Sequence, residues 1–173
     1  MSHVTDPLEQ LEAEYAPHEH RPLGAYVLIA AVHLGVAGGG LAAAIRAGKL
    51  PERVAPADLA LGAVATFKLS RLLARSTVTS PLRAPFTRYE GLSGPAELAE
   101  EVRGTGLRKA VGELLTCPFC LAHWIATAYG FGLVFSPRAT RFAASVLAVE
   151  AATEQLQLAH CRFHAEDDED DGS

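Results

Sequence analysis

The chain has 173 residues, of which 49% are hydrophobic, and its formal net charge is −5. That length accommodates one domain, and the mean hydropathy of +0.15 is high for a chain whose two ends are acidic and polar. The acidic residues are concentrated at those ends and the middle is basic, so the net charge gives no argument about nucleic acid, and the sequence contains no nucleic-acid-binding motif. The composition is typical of a small membrane protein, with its apolar residues in the middle.

The first apolar segment follows a polar N-terminal tail, residues 1–23. The run "AYVLIAAVHLGVAGGGLAAAI", Ala25 to Ile45, has 21 residues without a charge and predicts a helix over about 25–46. Such a helix is about 30 Å long, which matches the hydrocarbon core of a bilayer. No basic region precedes it, so we expect the segment to stay in the protein. Small residues recur at every fourth position, including Gly35 and Gly39, and indicate a surface for close helix packing, with a homo-oligomer as one outcome.

The next segment predicts a second helix over 57–75. It is a weaker span than the first because Lys68 and Arg71 lie within it. A loop rich in proline, glycine and charge follows, and it leads to two short helices within residues 95–115. The first of these is "PAELAEEV", with Pro95 in its first turn, and the second is "LRKAVGELL".

The last third of the chain predicts two further helices. No charge occurs from Leu114 to Pro137, which indicates a membrane helix over 117–136. A tight turn then leads to a helix over 139–160, and residues 161–173 are predicted to be an acidic, disordered tail. The predicted fold is therefore all-α: a small helical integral membrane protein whose membrane domain, residues 24–160, has about four membrane helices and short cytoplasmic loop helices.

Charged residues in the two weaker segments favour four crossings over a hairpin of only two. In a four-helix arrangement Lys68 and Arg71 lie at the same depth as Glu150 and Glu154, so the charges can pair. Snorkelling of these side chains to the interface is the structural alternative. Lysine and arginine are more numerous on the side of the two termini, so we expect a multi-pass protein of the cell membrane with cytoplasmic N- and C-termini and the lipid bilayer as its partner.

The stretches "TVTSPLRAPFTRYEG" and "EEVRGTGLRKAVGELLTCPFCLAHW", followed by an apolar helix, resemble the bacterial DUF1360 family, particularly its actinobacterial members. The resemblance covers roughly residues 57–160. It implies a small multi-pass membrane protein whose function has not been characterised. The positions that match the family's characteristic patterns are Arg83, Pro85, Phe86, Thr87 and the pair Cys117 and Cys120.

The Cys-x-x-Cys motif at Cys117 and Cys120 has three interpretations. The first is packing and capping, because Cys117 is a natural N-cap and Pro118 suits the first helical position. The second is a zinc or iron site that also uses His123, one turn after Cys120. The third is thiol redox chemistry at a helix N-terminus, although the chain lacks the βαβ pattern that usually carries such a motif.

The sequence shows no nucleophile–base set and no phosphate-binding loop. We therefore expect a non-enzymatic membrane protein with a structural, interaction or assembly role and a Cys-x-x-Cys helix cap on the cytoplasmic side. The alternative is a protein that binds zinc or iron, or reacts through its thiols, at Cys117 and Cys120. No role in binding nucleic acid is expected.

Overall fold

The computed structural model of the chain describes the backbone of residues 7–170 and, within that range, every side chain except those of residue 9 and residues 163–170. Its elements in chain order are α1 (Pro7–Tyr15), α2 (Leu23–Arg46), α3 (Pro56–Arg75), α4 (Ser80–Arg83), β1 (Thr87–Gly94), β2 (Glu97–Val102), α5 (Gly106–Thr116), α6 (Pro118–Phe135) and α7 (Pro137–Asp170).

Four long helices, α2, α3, α6 and α7, form an up-and-down bundle. Contacts between their side chains give the directions: His33 of α2 meets Trp124 of α6, and farther along both helices Gly40 meets Phe131. Helices α2 and α6 therefore run the same way, and α3 and α7 return in the opposite direction. Helix α3 lies at the centre, packed against both α6 and α7.

The two ends of the bundle differ in how they are covered. At one end lie α1, α4, the two strands and α5, and we call this the capped end. At the other end, the described residues comprise the loop of residues 47–55, between α2 and α3, and the single residue Ser136 between α6 and α7. We call this the open end.

Three of the predicted membrane helices match α2, α3 and α6 to within two residues at each end. Helix α7 differs, because it continues to Asp170 instead of ending at residue 160. The segment of residues 161–170 includes arginine, alanine and two glutamates, which are good helix formers and are compatible with this extension. The rest of the predicted acidic tail, residues 171–173, lies outside the described residues, as do residues 1–6 of the predicted N-terminal tail.

The all-α prediction is wrong at one place, where the segment "PAELAEEV" forms strand β2 instead of a helix. It pairs antiparallel with β1, with Leu92 opposite Leu98 and Gly94 opposite Glu97. Pro95 and Ala96 form the connection, and Ala96 has a φ of 60°. Proline at the second position of a tight turn and a positive φ at the third are the geometry of a type II turn. Pairing with β1 thus overrides local helix propensity, and the fold is mostly helical with one β-hairpin.

Candidate functional site

The Cys-x-x-Cys motif forms the start of α6. Cys117 is the N-cap residue, its Sγ accepts a hydrogen bond from the backbone N–H of Cys120 at 3.2 Å, and Pro118 occupies the first helical turn. Both thiols are free; Cys117 is half-buried and Cys120 is exposed. The side chain therefore satisfies one of the N–H groups that a helix start leaves without a partner.

The predicted metal set does not converge in this structure. The Nδ1 atom of His123, one turn after Cys120, lies 2.9 Å from the carbonyl oxygen of Phe119 in its own helix. Within the described part of the chain, no three histidine, cysteine, aspartate or glutamate side chains are grouped closely enough to hold a metal ion. Cys117, Cys120 and His123 thus supply donor atoms of the right chemistry for zinc or iron, without a preformed coordination shell.

Arg83 lies at the centre of the capped end, and its side chain is only 1% exposed. Its guanidinium donates to both carboxylate oxygens of Glu100, from Nε at 2.6 Å and from Nη2 at 3.2 Å. Nη1 donates to the carbonyl of Leu73 at 2.6 Å and to Oγ1 of Thr79 at 2.8 Å, and Nη2 also donates to the carbonyl of Ser76 at 3.0 Å. These partners match the five N–H groups of the side chain. Arg83 thereby ties the end of α3 to strand β2.

The other three residues of the family pattern build the connection from α4 to β1. Thr87 donates its hydroxyl to the carbonyl of Arg83 at 3.0 Å, and the carbonyl of Pro85 accepts from Nε of Arg108 at the same distance. The carbonyl of Phe86 accepts from the backbone N–H of Arg103 at 2.9 Å. These four residues therefore lie within the cap, where Arg83 and Thr87 contribute side-chain hydrogen bonds and Pro85 and Phe86 contribute backbone carbonyls.

A buried lysine lies between two glutamates near the capped end. The Nζ atom of Lys68 is 2.6 Å from Oε1 of Glu154 and 3.2 Å from Oε1 of Glu150, and the Lys68 side chain is 6% exposed. The structure thus brings together three of the four residues of the predicted charge cluster. Arg71 is directed elsewhere, because its guanidinium pairs with Glu97 at the start of β2.

A second cluster ties the start of α2 to α5. Arg21 contacts Glu113 at 3.0 Å, and the hydroxyl of Tyr26 donates to the same carboxylate. Beside it, Lys109 donates to Glu19 at 2.9 Å. The hydrogen bond from Lys109, together with its positive charge, holds the pKa of Glu19 below its ordinary value.

The open end carries a separate ionic contact, which the sequence analysis does not predict. Asp58, in the first turn of α3, accepts from Nε of Arg141 at 2.8 Å and from Nη2 at 2.7 Å. The hydroxyl of Tyr129 donates to the backbone carbonyl of Asp58 at 2.7 Å. In an up-and-down bundle α3 and α7 both begin at the same end. The sequence could have indicated this contact through an acidic residue near the start of α3 and a basic residue near the start of α7.

A cavity of about 580 Å³ opens beside this contact, between α3 and α6 and under the loop of residues 47–55. Its walls are mostly aliphatic, with Leu59, Ala63, Leu133 and Val134 among the lining residues. Arg53 and the Asp58–Arg141 pair are its charged lining residues. It is thus an apolar groove with a charged mouth.

The glycines of α2 divide into two groups. A Cβ atom at Gly40 would lie 2.4 Å from the ring of Phe131, so this glycine allows α2 and α6 to approach each other. At Gly35 and Gly39 a Cβ atom would have no neighbour within 4 Å. The small-residue surface predicted for association therefore faces away from the described part of the protein.

Comparison with known proteins places these observations in a family. The family model "Protein of unknown function (DUF1360)" matches residues 61–160. A protein described as "Sporulation protein YjcA", from Bacillus subtilis (strain 168), is 37% identical over 71 residues, which cover 39% of this chain and 60% of that protein. The chain thus spans less than two thirds of that relative. No solved structure is significantly similar to the chain. With the family model matching more than half of its length, the chain belongs to the DUF1360 family.

Proposed function

We propose that the protein is a multi-pass protein of the cell membrane in which α2, α3, α6 and α7 all cross the bilayer. Helices α2 and α6 are long and apolar enough to span it. In the 18-residue apolar stretch of each helix, only 6% of the residues are buried inside the protein. The core helix of a water-soluble protein would be mostly buried, so this exposed apolar surface needs a lipid environment.

The observation that carries four crossings is the pairing of charges between α3 and α7. The charges that weaken these two helices as membrane spans include Asp58 and Lys68 of α3, and both have partners on α7, namely Arg141 and the two glutamates. Large apolar side chains on the outer surfaces, such as Phe67 and Phe142, are more than half exposed. The two charged side chains of α3 are turned inward, with Lys68 6% and Asp58 12% exposed, while the large apolar groups are turned outward, which is the arrangement that a bilayer favours.

The distribution of basic residues supports cytoplasmic termini. The capped end, together with the C-terminal part of α7, carries nine of the lysine and arginine residues outside the deep part of the bundle: Arg21, Arg71, Arg75, Arg83, Arg88, Arg103, Arg108, Lys109 and Arg162. The open end carries five, namely Arg46, Lys49, Arg53, Arg138 and Arg141. The positive-inside rule then orients the capped end and both termini toward the cytoplasm.

The biochemical role that fits this geometry best is non-enzymatic, with the capped end as an interaction or assembly module. Its central arginine is fully used in holding the cap together, as described above. Several large apolar side chains of the cap are more than half exposed, namely Val78, Leu82, Tyr89, Leu92 and Leu107, and such residues are typical of a contact surface. The description of the Bacillus relative names a cellular process, sporulation, which is compatible with an assembly role.

Association between copies through α2 is part of this proposal. Gly35 and Gly39 face outward, and small residues on a membrane helix permit close backbone contact with a second helix. We expect Gly39→Leu to shift the protein toward monomer in crosslinking experiments in membranes, whereas Leu34→Ala, on the same helix, retains the dimer. A crosslinking pattern that Gly39→Leu leaves unchanged would exclude this surface.

Metal or thiol chemistry at Cys117 and Cys120 is the second candidate function. The observation that favours it is the placement of both sulfurs at a helix N-terminus, with the Cys120 thiol exposed. The test is elemental analysis of purified wild-type protein and of the double variant Cys117→Ser/Cys120→Ser. Stoichiometric zinc or iron that is lost in the double variant supports this function, and a metal-free protein with unreactive thiols rules it out.

Labelling with a membrane-impermeant maleimide tests the four crossings. In a variant that has serine at all three native cysteine positions, single cysteines replace Ala47 in the α2–α3 loop or Leu92 in the hairpin, and a third variant keeps only Cys161. Four crossings predict that positions 92 and 161 are labelled from the same side and position 47 from the other. Labelling of positions 47 and 92 from one side, with 161 on the opposite side, would show that only α2 and α6 cross.

A further inference from the structure

The groove at the open end is built by small residues on two facing helices. Ala63 of α3 and Ala126 and Gly130 of α6 line it, and all three are exposed along its side. A Cβ atom at Gly130 would meet no atom within 4 Å, so this glycine borders empty space. The groove is therefore open laterally, toward the surface that the proposed bundle presents to lipid.

A tethered tyrosine fixes the wall of the groove. The ring of Tyr129 lies against Gly62, where a Cβ atom would be only 2.3 Å from the ring. Its hydroxyl is bonded to the backbone of Asp58, so the ring is anchored at both ends. The groove is thus a lasting feature of the packing between α3 and α6, and a small side-chain movement cannot close it.

The mouth of the groove is positively charged. Arg53 lines it, and the ammonium group of Lys49 lies 5.7 Å from the centre of the Phe135 ring, one residue beyond the lining residue Val134. Residues 46–58 and 136–141 together contain five basic side chains and two acidic ones, of which Asp58 is already paired with Arg141. The mouth therefore attracts an anion, whereas the rest of the groove is lined mostly by apolar groups.

We propose that this groove holds one acyl chain of an anionic phospholipid, with the lipid phosphate group at Arg53. An apolar channel that is open to the side and basic at its end has the chemistry of such a lipid, whose chain is apolar and whose head is an anion. A water-soluble ligand would not need the lateral opening. The inference rests on the proposed membrane insertion and names a specific lipid contact of the open end.

Native mass spectrometry of the detergent-purified full chain, with dioleoyl phosphatidylglycerol or dioleoyl phosphatidylcholine added, measures the retained lipid. We expect wild-type protein to retain one phosphatidylglycerol molecule in preference to phosphatidylcholine. Gly130→Leu fills the groove and lowers retention by at least about tenfold. Arg53→Gln lowers the preference for phosphatidylglycerol by about fivefold, the effect of one basic group near a membrane surface.

Two matched variants serve as controls. Ala128→Leu introduces a leucine side chain at an exposed position of α6 that does not line the groove, and Arg88→Gln removes an exposed basic group at the capped end. Neither should alter retention. If Gly130→Leu fails to fold, Ala63→Leu fills the groove from the α3 side. Retention by both groove variants at the wild-type level, or equal retention of the two lipids by wild-type protein, overturns the inference.

Alkaline extraction of membranes separates this failure from a failure of the proposed function. A chain that remains in the pellet but shows no selective lipid retention is a membrane protein without this lipid site. A chain released into the supernatant is not integral to the membrane, and both proposals are then wrong.

Discussion

The two ends of the bundle each contain an arginine paired with a carboxylate, but the surroundings of the two pairs differ. At the capped end the Arg83 side chain is 1% exposed, and its N–H groups bond to Glu100, to two backbone carbonyls and to Thr79. At the open end the Arg141 side chain is 52% exposed, and its contact with Asp58 uses Nε and Nη2. An arginine–carboxylate pair is thus buried in the closed end of the protein, and a second pair of the same kind borders a groove at the other end.

This difference shows that the chemistry of a residue does not by itself separate structural from binding roles. Burial does so more reliably, because a guanidinium whose donors are all satisfied inside the protein has none left for a ligand. The residues most characteristic of the family are therefore placed in the structural end. The groove at the other end depends on residues of ordinary type, such as Gly130 and Arg53, which no motif distinguishes.

The largest expected effect concerns the buried pair of Arg83 and Glu100 in the capped end. Arg83→Leu leaves the buried carboxylate of Glu100 without its partner, and we expect a loss of about 3–5 kcal/mol in the free energy of unfolding. Thermal or denaturant unfolding in detergent measures it. Arg88→Gln removes an exposed arginine of the same hairpin and should change stability by less than about 0.5 kcal/mol. Similar stabilities for the two variants would contradict a structural role for Arg83.

The second test concerns the charges inside the bundle. Lys68→Met leaves Glu150 and Glu154 without their cation, and insertion or stability should fall by about 2–3 kcal/mol. The triple variant Lys68→Met/Glu150→Gln/Glu154→Gln removes all three charges and should recover most of the loss, since apolar or neutral replacement of a buried pair is often tolerated. Resistance to trypsin in membranes and the unfolding midpoint measure both. A triple variant as unstable as Lys68→Met would show that the loss does not come from unpaired charge.

The third test compares two glycines. Gly62→Leu forces a side chain into the tethered ring of Tyr129, and overpacking of this kind costs about 1–3 kcal/mol. Gly39→Leu introduces the same side chain where nothing lies within 4 Å, so the stability of the monomer should be unchanged. The midpoint of thermal unfolding in detergent distinguishes them. Equal midpoints for the two variants would contradict the close approach of α3 and α6.

The smallest effect is a pH dependence at the junction of α1, α2 and α5. Contact with Lys109 lowers the pKa of Glu19 below its ordinary value of 4.5, so the folded state binds that proton less tightly than the unfolded state. The contribution of this contact to stability is present above the unfolded pKa and disappears as the pH falls through the folded pKa. The difference in unfolding midpoint between wild type and Glu19→Gln should therefore vanish in acid. In a Lys109→Met background the difference should be smaller, because only the longer contact of Glu19 with Arg21, at 3.4 Å, remains.

The long helices were predictable because their signal is local. The uncharged run from Ala25 to Ile45 and the Cys-Pro start of α6 specify helices without reference to other parts of the chain. The hairpin was not, since the residues of "PAELAEEV" include good helix formers and only the pairing with β1 decides their conformation. The sequence pattern predicts a helix start at Pro95, and in the structure Pro95 lies in the turn of the hairpin.

The candidate sites differ in the same way, because some follow from local sequence and others depend on contacts between distant parts of the chain. Lys68 and the two glutamates were identified because helix lengths alone put them at one depth. The partners of Arg83 include backbone carbonyls, which every residue has and which no sequence pattern can therefore indicate. The contact of Arg141 with Asp58 depends on the tilt and rotation of two helices, which periodicity does not fix.

The positions of the ionic contacts also set an order for biosynthesis of the proposed bundle. Lys68 and Glu154 are 86 residues apart in the chain, and Asp58 and Arg141 are 83 apart. At synthesis rates of about 5–20 residues per second, α3 emerges roughly 4–17 seconds before its charged partners exist. During that interval its lysine and aspartate have no α7 to pair with, so α3 acquires its final place in the bilayer only when the last helix arrives. In the proposed membrane protein, helix α7 is therefore the element that stabilises α3 at the end of synthesis.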